Sequence, residues 1–310
     1  MRVFITGIYG MLGTAIAMRH RKIGDTVTGC DIATSPDDSV YCDIRDEDSL
    51  RNMIMEYQPH RIYHCAAMLG VQNTEQHPDL CNQINIDGTR IVAGLAREVG
   101  AHLVFLSSSE IYGNQEGLLG EEYSPALGTN VYATGKLAGE HICQRKTGDI
   151  QVTICRMFNC YGPHQVRQFF LAKAVDKAMR DEPIYLFGDG NNQRSYLFSF
   201  DAAQYIIEMA NCDHPSGLVF NIANTDLHTL REAADLVCMV TQSNSEVIVQ
   251  TGAVYEDRLA IRDIPHRVAD TRRLRAMSAH RPIRLPHGLP LFVHAFNTTK
   301  ADWTYSRVLR

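Results

Sequence analysis

The feature that most constrains the fold is a glycine-bearing turn close to the start of the chain. Residues 2–5 (RVFI) form a short apolar run typical of a buried strand, and a helical pattern runs from about Met11 to Arg21. Between them stands the segment TGIYGMLG, whose glycines are Gly7, Gly10 and Gly13. Glycines in such a turn let the backbone approach a pyrophosphate at the start of a helix. The turn therefore predicts a dinucleotide-binding unit.

Strand and helix patterns alternate through the first half of the chain. The apolar runs TVTGCD, RIYHCAA, HLVFLSSS and QVTICRMF are separated by helical patterns near 46–57, 78–99 and 131–145. Asp46 is a candidate N-cap, and Pro78 is well placed to start a helix. Alternation of this kind predicts an α/β fold with a doubly wound parallel sheet.

The alternation loosens after residue 163. The stretch from about 255 to 290 is rich in proline and arginine and predicts irregular structure with short helices. We therefore expect a Rossmann domain over 1–165 and a mainly substrate-binding, smaller lobe over 166–310, with strands near 193–222 returning to the sheet.

Composition narrows the range of functions. The 310 residues carry a net charge of −5 with 45 % apolar and 21 % charged residues, which is typical of a globular protein without a basic surface for nucleic acid. The nine cysteines form no C-x-x-C pair, so we expect reduced thiols and no metal site. No apolar run is long enough to cross a membrane, and the glycines interrupt any secretory signal at the start. We expect a cytoplasmic protein.

Two carboxylates follow the glycine turn at positions that suit the adenosine half of a dinucleotide. Asp31 ends the second predicted strand, 18 residues after Gly13, where a carboxylate accepts hydrogen bonds from a ribose. It also repels a 2′-phosphate, which favours NAD over NADP. Asp43 ends the next short segment and suits the flank of the adenine, although a surface turn explains Asp43 by itself equally well.

A tyrosine and a lysine four residues apart provide a candidate acid/base pair. Tyr132 and Lys136 fall on one face of a predicted helix. A phenol normally titrates near about pH 10, and a neighbouring ammonium favours the phenolate, which can act as a base. The preceding strand ends in LSSSEIYG (106–113), whose hydroxyls lie at the carboxyl edge of the predicted sheet, where open α/β folds bind ligands.

These segments together resemble the extended short-chain dehydrogenases of the NAD-dependent epimerase/dehydratase family. The resemblance extends in order through TGIYGMLG, Asp31, HCAA at 64–67, Asn85-x-x-Gly88-Thr89, SSSEIYG, YATGK, RMFNCYGP at 156–163 and GDGNNQRSYLFSFDAA at 188–203. Beyond about residue 225 it rests on HRVADTRRLR and on the helix pattern around Gly288. It implies NAD as cofactor, a nucleotide-diphosphate sugar as substrate, and a homodimer paired through the helices near 80–99 and 131–147.

The resemblance also implies roles for individual residues. Tyr132 would act as catalytic base and acid, Lys136 would hold the nicotinamide ribose, and Ser108 would bond the reacting sugar hydroxyl. The residues implied to contact NAD are Gly7, Tyr9, Gly10, Met11, Leu12, Gly13, Asp31, Ile32, Asp43, Ile44, Cys65, Ala66, Ala67, Tyr132, Lys136 and Phe158. The residues implied to contact the substrate are Ser108, Ser109, Asn159, Arg194 and Arg267. For Asn85 and His64 we expect structural roles instead.

The resemblance leaves the reaction open after a common first step. Oxidation of the sugar at C4 gives a 4-keto sugar, and returning the hydride to the opposite face makes the enzyme a 4-epimerase, which we rank first. Glu110 raises the alternative of a decarboxylase or a 4,6-dehydratase, because such enzymes carry a glutamate at this position as a further catalytic acid/base. Ser109 stands where one dehydratase subgroup has aspartate. A non-catalytic NAD-binding sensor or scaffold is the third hypothesis, and the set of Ser108, Tyr132 and Lys136 argues against it.

Overall fold

The chain folds around a six-stranded sheet covered by helices. The computed structural model describes residues 1–33, 40–115, 117–123, 130–250, 254–255, 258–259 and 267–298. The strands are β1 (Arg2–Thr6), β2 (Thr26–Cys30), β3 (Arg61–His64), β4 (His102–Ser108), β5 (Gly117–Leu119), β6 (Val152–Met157), β7 (Cys160–Tyr161), β8 (Ile184–Phe187), β9 (Gln193–Ser195), β10 (Leu197–Phe198), β11 (Leu218–Ile222), β12 (Leu227–Thr229), β13 (Val247–Gln250), β14 (Val254–Tyr255), β15 (Arg258–Leu259) and β16 (Arg267–Ala269).

The helices account for most of the remaining described chain. They are α1 (Met11–Lys22), α2 (Glu47–Tyr57), α3 (Val71–Gln76), α4 (Pro78–Asn82), α5 (Thr89–Glu98), α6 (Val131–Gln144), α7 (Phe170–Ala178), α8 (Ser199–Asn211), α9 (Leu230–Thr241), α10 (Arg272–Met277) and α11 (Leu285–Thr298). A π-helical turn covers Gln83–Gly88 and a 3₁₀ turn covers Ser109–Tyr112. Within these described residues no helix is both long and apolar enough to cross a membrane.

The central sheet has the order β11-β6-β4-β3-β1-β2, and all of its neighbouring strands are parallel. This confirms the doubly wound α/β fold that the alternating pattern predicts. Of the strands predicted near 193–222, β11 pairs with β6 in this sheet, whereas β9 and β10 pair with β12 and β7. The division of the chain at residue 165 stays a prediction.

Each face of the sheet is buried under helices because successive strand residues point to opposite sides. In β4, Leu103 and Phe105 join a core with α5, while Val104 and Leu106 join a core with α1 and α8. A third core lies in the C-terminal part, where α7, α9 and α11 pack together. Because helices cover both faces of the sheet, we expect a functional site at the ends of the strands.

Two elements differ from the sequence-based expectations. The helix predicted over 78–99 is interrupted by the π-helical turn, which the apolar period does not reveal. The end of the region expected to be irregular with short helices, where the sequence also shows a helix pattern around Gly288, is the start of the 14-residue helix α11, which has Pro290 inside it. Leu285, Leu289 and Phe292 are 0–1 % exposed in the third core, so tertiary packing outweighs the proline there. By contrast, Asp46 caps α2 as predicted, accepting a hydrogen bond from Ser49 N at 3.1 Å.

The glycine turn leaves no room for side chains between β1 and α1. Gly7 has φ +70°, and a Cβ built on Gly13 would lie 2.1 Å from the carbonyl oxygen of Gly7. That oxygen is backbone, so the start of α1 would have to move away from β1. Gly94 in α5 offers a contrast, because a Cβ there meets no atom within 4 Å.

We expect Gly13→Ala to lower the free energy of unfolding by about 1–3 kcal/mol, as overpacking does. The matched control Gly94→Ala is expected to raise it by roughly 0.5–1 kcal/mol, because alanine has less entropy to lose in a helix. Urea unfolding of the two variants and the parent chain measures both effects. Equal stability of the two variants would contradict the tight contact.

His64 is a buried structural histidine, as expected from the sequence. Its side chain is 1 % exposed and lies between Thr6 Oγ1, 2.8 Å from Nδ1, and Thr89 Oγ1, 3.0 Å from Nε2. It thereby joins β3 to β1 and α5. Burial, with a smaller contribution from the charge of Lys136, lowers the pKa of His64 to about 3 from an ordinary value of 6.5.

This lowered pKa predicts a loss of stability in acid. Below about pH 6.5 the unfolded chain binds a proton at His64 that the folded chain does not bind until about pH 3, so stability falls as pH drops through this window. The slope from this one group approaches about 1.4 kcal/mol per pH unit. Between pH 6 and pH 4.5, the free energy of unfolding in urea should change less steeply with pH for His64→Asn than for the parent. Above pH 7 the two slopes should be equal. Equal slopes in both ranges would refute this assignment.

Candidate active site

The first part of the site lies where β1 and β2 end. Gly7 N donates to Cys30 O at 2.7 Å, which holds the turn against β2. The carboxylate of Asp31, just after β2, accepts the backbone N–H of Tyr9 and of Ala33, each at 3.0 Å. Burial raises the pKa of Asp31 above its ordinary value, against the effect of these hydrogen bonds. The structure thus brings the predicted carboxylate and the glycine turn together.

The loop after β3 closes the same region from the other side. Ala66 N donates to Thr6 Oγ1 at 3.2 Å, and a Cβ on Gly7 would lie 2.9 Å from Ala66 N. The side chain of Asn85, in the π-helical turn, accepts from Met68 N at 2.8 Å and donates to Met68 O at 3.0 Å. Asn85 therefore braces the loop that contains the predicted cofactor residues, as expected from the sequence.

The other predicted cofactor residues occupy varied positions around this turn. Met11 and Leu12 open α1 and are half-buried, Ile32 is exposed, and Ile44 is 5 % exposed within the core under the sheet. The carboxylate of Asp43 binds the guanidinium of Arg45 through several hydrogen bonds of 2.6–3.0 Å. Asp43 therefore has the local partner expected of a surface turn, and its role toward adenine stays a prediction.

These residues fit a dinucleotide by their backbone geometry. At Gly7 and Gly13 a side chain would collide with backbone atoms of Ala66 and of Gly7, so the turn packs closely between the loop after β3 and the start of α1. Gly10 is the N-cap of α1 and brings no side chain to cover the first turn of the helix. Unpaired N–H groups and the positive end of the helix dipole suit a pyrophosphate, and Asp31 lies beside them for a ribose.

The second part of the site lies where β4 ends and α6 begins. Asn130 caps α6 by accepting from Ala133 N at 2.7 Å, so that Tyr132 lies in the first turn and Lys136 one turn later. Both side chains are buried, with 9 % and 4 % exposure. Lys136 Nζ donates to Leu106 O of β4 at 2.8 Å and lies 5.1 Å from the ring centroid of Phe105.

Burial lowers the pKa of Lys136 to about 8, because an ammonium loses solvation inside the protein. Ser108, the last residue of β4, accepts the N–H of Glu110 at its Oγ at 3.1 Å. Since α6 packs on β4 and on the 3₁₀ turn, the elements of the predicted catalytic residues meet at one sheet edge.

Glu110 is bound to a distant arginine, which the sequence analysis did not foresee. Its carboxylate forms an ion pair with Arg267 of β16, and Asn130 Nδ2 lies 3.5 Å from its second oxygen. Arg267 is 6 % exposed and also donates from Nη2 to Gly113 O at 3.2 Å, whereas its Nε is buried without a partner among the described residues. Arg267, predicted to contact the substrate, thus lies against Glu110.

The remaining predicted substrate residues, and Phe158 of the predicted cofactor residues, belong to the following elements. Ser109 is 4 % exposed at the start of the 3₁₀ turn. Phe158 is 6 % exposed, with its ring centroid 6.1 Å from that of Tyr112. Asn159 is half-buried between β6 and β7, and its carbonyl accepts from Leu197 N at 2.9 Å. Arg194 is half-buried in β9, and its Nη1 donates to Gln193 O at 2.8 Å.

Comparison with proteins of known sequence gives a family match and curated relatives. The model of the NAD dependent epimerase/dehydratase family matches residues 3–223. UDP-glucuronic acid decarboxylase 2 of Arabidopsis thaliana is 27 % identical, with 96 % of this chain and 68 % of that protein covered. UDP-N-acetyl-alpha-D-glucosaminuronate decarboxylase of Bacillus cytotoxicus is 26 % identical, with 97 % of this chain and 99 % of that protein covered.

Comparison with solved structures supports the fold. UDP-glucose 4-epimerase of Thermotoga maritima superposes with a TM-score of 0.86 at 20 % identity, covering 96 % of this chain and 99 % of that one. UDP-glucuronic acid 4-epimerase of Bacillus cereus, solved with UDP-glucuronic acid and NAD, gives a TM-score of 0.84 at 20 % identity with the same coverage. With the family match over more than half of its length, this chain belongs to the NAD dependent epimerase/dehydratase family of enzymes, and its cofactor is NAD.

Proposed function

We propose that this protein acts on a nucleotide-diphosphate sugar and that its reaction begins with oxidation of the sugar at C4. The observation that carries the proposal is the meeting of Ser108, at the end of β4, with the helix that presents Tyr132 and the buried Lys136. A site that only binds a dinucleotide has no need of a phenol and an ammonium at this position. Several relatives are named for reactions of UDP-sugars, which supports this substrate class.

Tyr132, Lys136 and Ser108 each have a separate role in the oxidation at C4. Tyr132 takes the proton of the C4 hydroxyl as a general base. The ammonium of Lys136, one helical turn away, favours the phenolate through its charge, which acts strongly in a buried site. Ser108 Oγ already accepts from Glu110 N, so its own proton is available to the sugar oxygen. When bound, NAD supplies the hydride acceptor and later the hydride donor.

For the fate of the 4-keto sugar we favour loss of a carboxylate, which the sequence analysis placed second. The observation behind this choice is the pair of Glu110 and Arg267, because the buried guanidinium provides a cation for an acidic group on C5. A 4-ketone is β to that carboxylate. The bond from C5 to the carboxylate breaks, carbon dioxide leaves, the electron pair forms an enolate at C4, and C5 then takes a proton. We assign the delivery of that proton to Glu110.

The second candidate is the 4-epimerase that the sequence analysis ranked first. It needs the same set of Ser108, Tyr132 and Lys136 and no further acid, with the ketone presenting its other face before reduction. In that case Glu110 serves only to hold Arg267 and the 3₁₀ turn. The homodimer predicted through the helices near 80–99 and 131–147 stays a prediction of the family resemblance.

The deciding experiment is product analysis with the purified protein, NAD⁺ and a panel of UDP-, GDP-, dTDP- and CDP-sugars that includes UDP-glucuronate and UDP-N-acetylglucosaminuronate. We expect a uronate to lose one carbon dioxide, read by mass spectrometry and proton NMR. A product of unchanged mass with an altered H4 coupling would instead establish the epimerase, and loss of water a dehydratase. If no sugar turns over, the sensor hypothesis replaces the enzyme.

Two variants separate the steps with the substrate so identified. Tyr132→Phe removes the base and should lower kcat by roughly 10²–10⁴-fold. Glu110→Gln should leave the first oxidation in place but slow carbon dioxide release, so that reduced cofactor accumulates and absorbs at its own wavelength. Glu98→Gln, at an exposed pair with Arg51, is the control for loss of a glutamate charge and should retain full activity.

A further inference from the structure

A buried ion pair lies directly behind the candidate active site and belongs to neither its catalytic nor its cofactor residues. Arg156 of β6 and Glu140 of α6 have side chains that are 5 % and 2 % exposed. Arg156 Nε and Nη2 donate to the two carboxylate oxygens at 3.0 and 2.9 Å. A bidentate ion pair of this kind holds both side chains in one orientation. It therefore fixes α6 relative to β6.

The pair also reaches the strand that bears Ser108. Glu140 follows Lys136 by four residues and Tyr132 by eight, so the three side chains share one face of α6. Ser107 Oγ donates to Glu140 Oε1 at 2.5 Å, and Ser107 is directly opposite Arg156 in the pairing of β4 with β6. One carboxylate thus joins the helix of Tyr132 to the residue next to Ser108.

Arg156 extends the same connections to the 3₁₀ turn and to β16. Its Nη1 donates to Tyr112 Oη at 3.0 Å and to Glu121 O at 3.2 Å, and Tyr112 lies in the turn that contains Glu110. Tyr112 Oη donates to Asn221 Oδ1 at 2.8 Å. Asn221 Nδ2 in turn donates to carbonyls of the segments that include β5 and β16, which bears Arg267.

We propose that Arg156 and Glu140 are positioning residues, which set the place of Tyr132 and Lys136 against Ser108 and align the Glu110 turn with them. This inference rests on the proposed function, because it assigns the pair a role in that reaction. Because both side chains are almost fully buried, we place neither in contact with the substrate. The pair acts by fixing distances between elements, and a shift of about 1 Å at reacting groups lowers a rate by roughly 10²-fold.

The test uses the double variant Arg156→Met/Glu140→Met, because removing one partner alone leaves a buried charge and endangers folding, whereas replacing both with apolar groups often preserves stability. We expect a Tm near that of the parent, a Kd for NADH within about threefold, and a KM within about threefold. We expect kcat to fall by about 10²-fold. Arg156→Lys keeps the charge but loses the planar fork, and should recover part of that kcat.

Arg61→Met is the matched control. Arg61 is also a buried arginine of the central sheet, 9 % exposed, but it binds Asn211 and the carbonyl of Ala210 near the end of α8. The Arg61→Met variant should have a kcat within about threefold of that of the parent. The proposal is overturned if kcat of the double variant stays within threefold of the parent, or if Arg61→Met lowers kcat equally.

If the parent turns over no sugar, the proposed function is wrong. The positioning role of Arg156 and Glu140 can then still be tested by hydrogen exchange. With NADH bound, we expect faster amide exchange in the double variant at residues 131–137 and 107–112, with α1 and α8 unchanged. Unchanged exchange in these two segments, or equal acceleration in all helices, would overturn the positioning role whatever the reaction is.

Discussion

All six strands of the central sheet run in the same direction, and this constraint determines where everything else can lie. Because helices cover both faces, the carboxyl edge of the sheet is where loops can present polar groups without burying them in an apolar layer. The glycine turn follows β1, Asp31 follows β2, and Ser108 ends β4. The predicted cofactor residues and the predicted catalytic residues therefore lie at one edge of the sheet, although about a hundred residues separate them in the chain.

Placing charged groups directly behind this edge requires specific partners. The ammonium of Lys136 loses solvation, which lowers its pKa to about 8, and the carbonyl of Leu106 and the ring of Phe105 offset part of that loss. Arg156 and Glu140 neutralise each other. A buried ion pair seldom stabilises a fold more than apolar side chains of the same volume would. Its presence here is better explained by the geometry that it imposes on α6 and β4.

The pair of Glu110 and Arg267 is the part of the site on which our choice between decarboxylation and epimerisation depends. In the structure each group is the counter-ion of the other, so a substrate carboxylate would compete with Glu110 for the guanidinium. A neutral sugar would leave the pair intact. The proposed first oxidation is common to both outcomes, so the state of this ion pair with a bound sugar is what separates them in our proposal.

The sequence by itself determined the local features, because glycine placement and apolar period act over a few residues. The turn at Gly7–Gly13, the cap at Asp46 and the parallel sheet follow from such patterns, and so does the pairing of Tyr132 with Lys136 on one helix face. The structural role of Asn85 was also predicted from the sequence.

Only the tertiary structure decided the contacts between distant segments. Nothing in the spacing indicates that Arg267 pairs with Glu110, 157 residues away, or that Arg156 binds Glu140 behind the site. The sequence shows a helix pattern around Gly288, but the continuation of α11 through Pro290 depends on the burial of Leu285 and Phe292 against other helices. These features depend on which elements pack together, and local propensities hold no information about that choice.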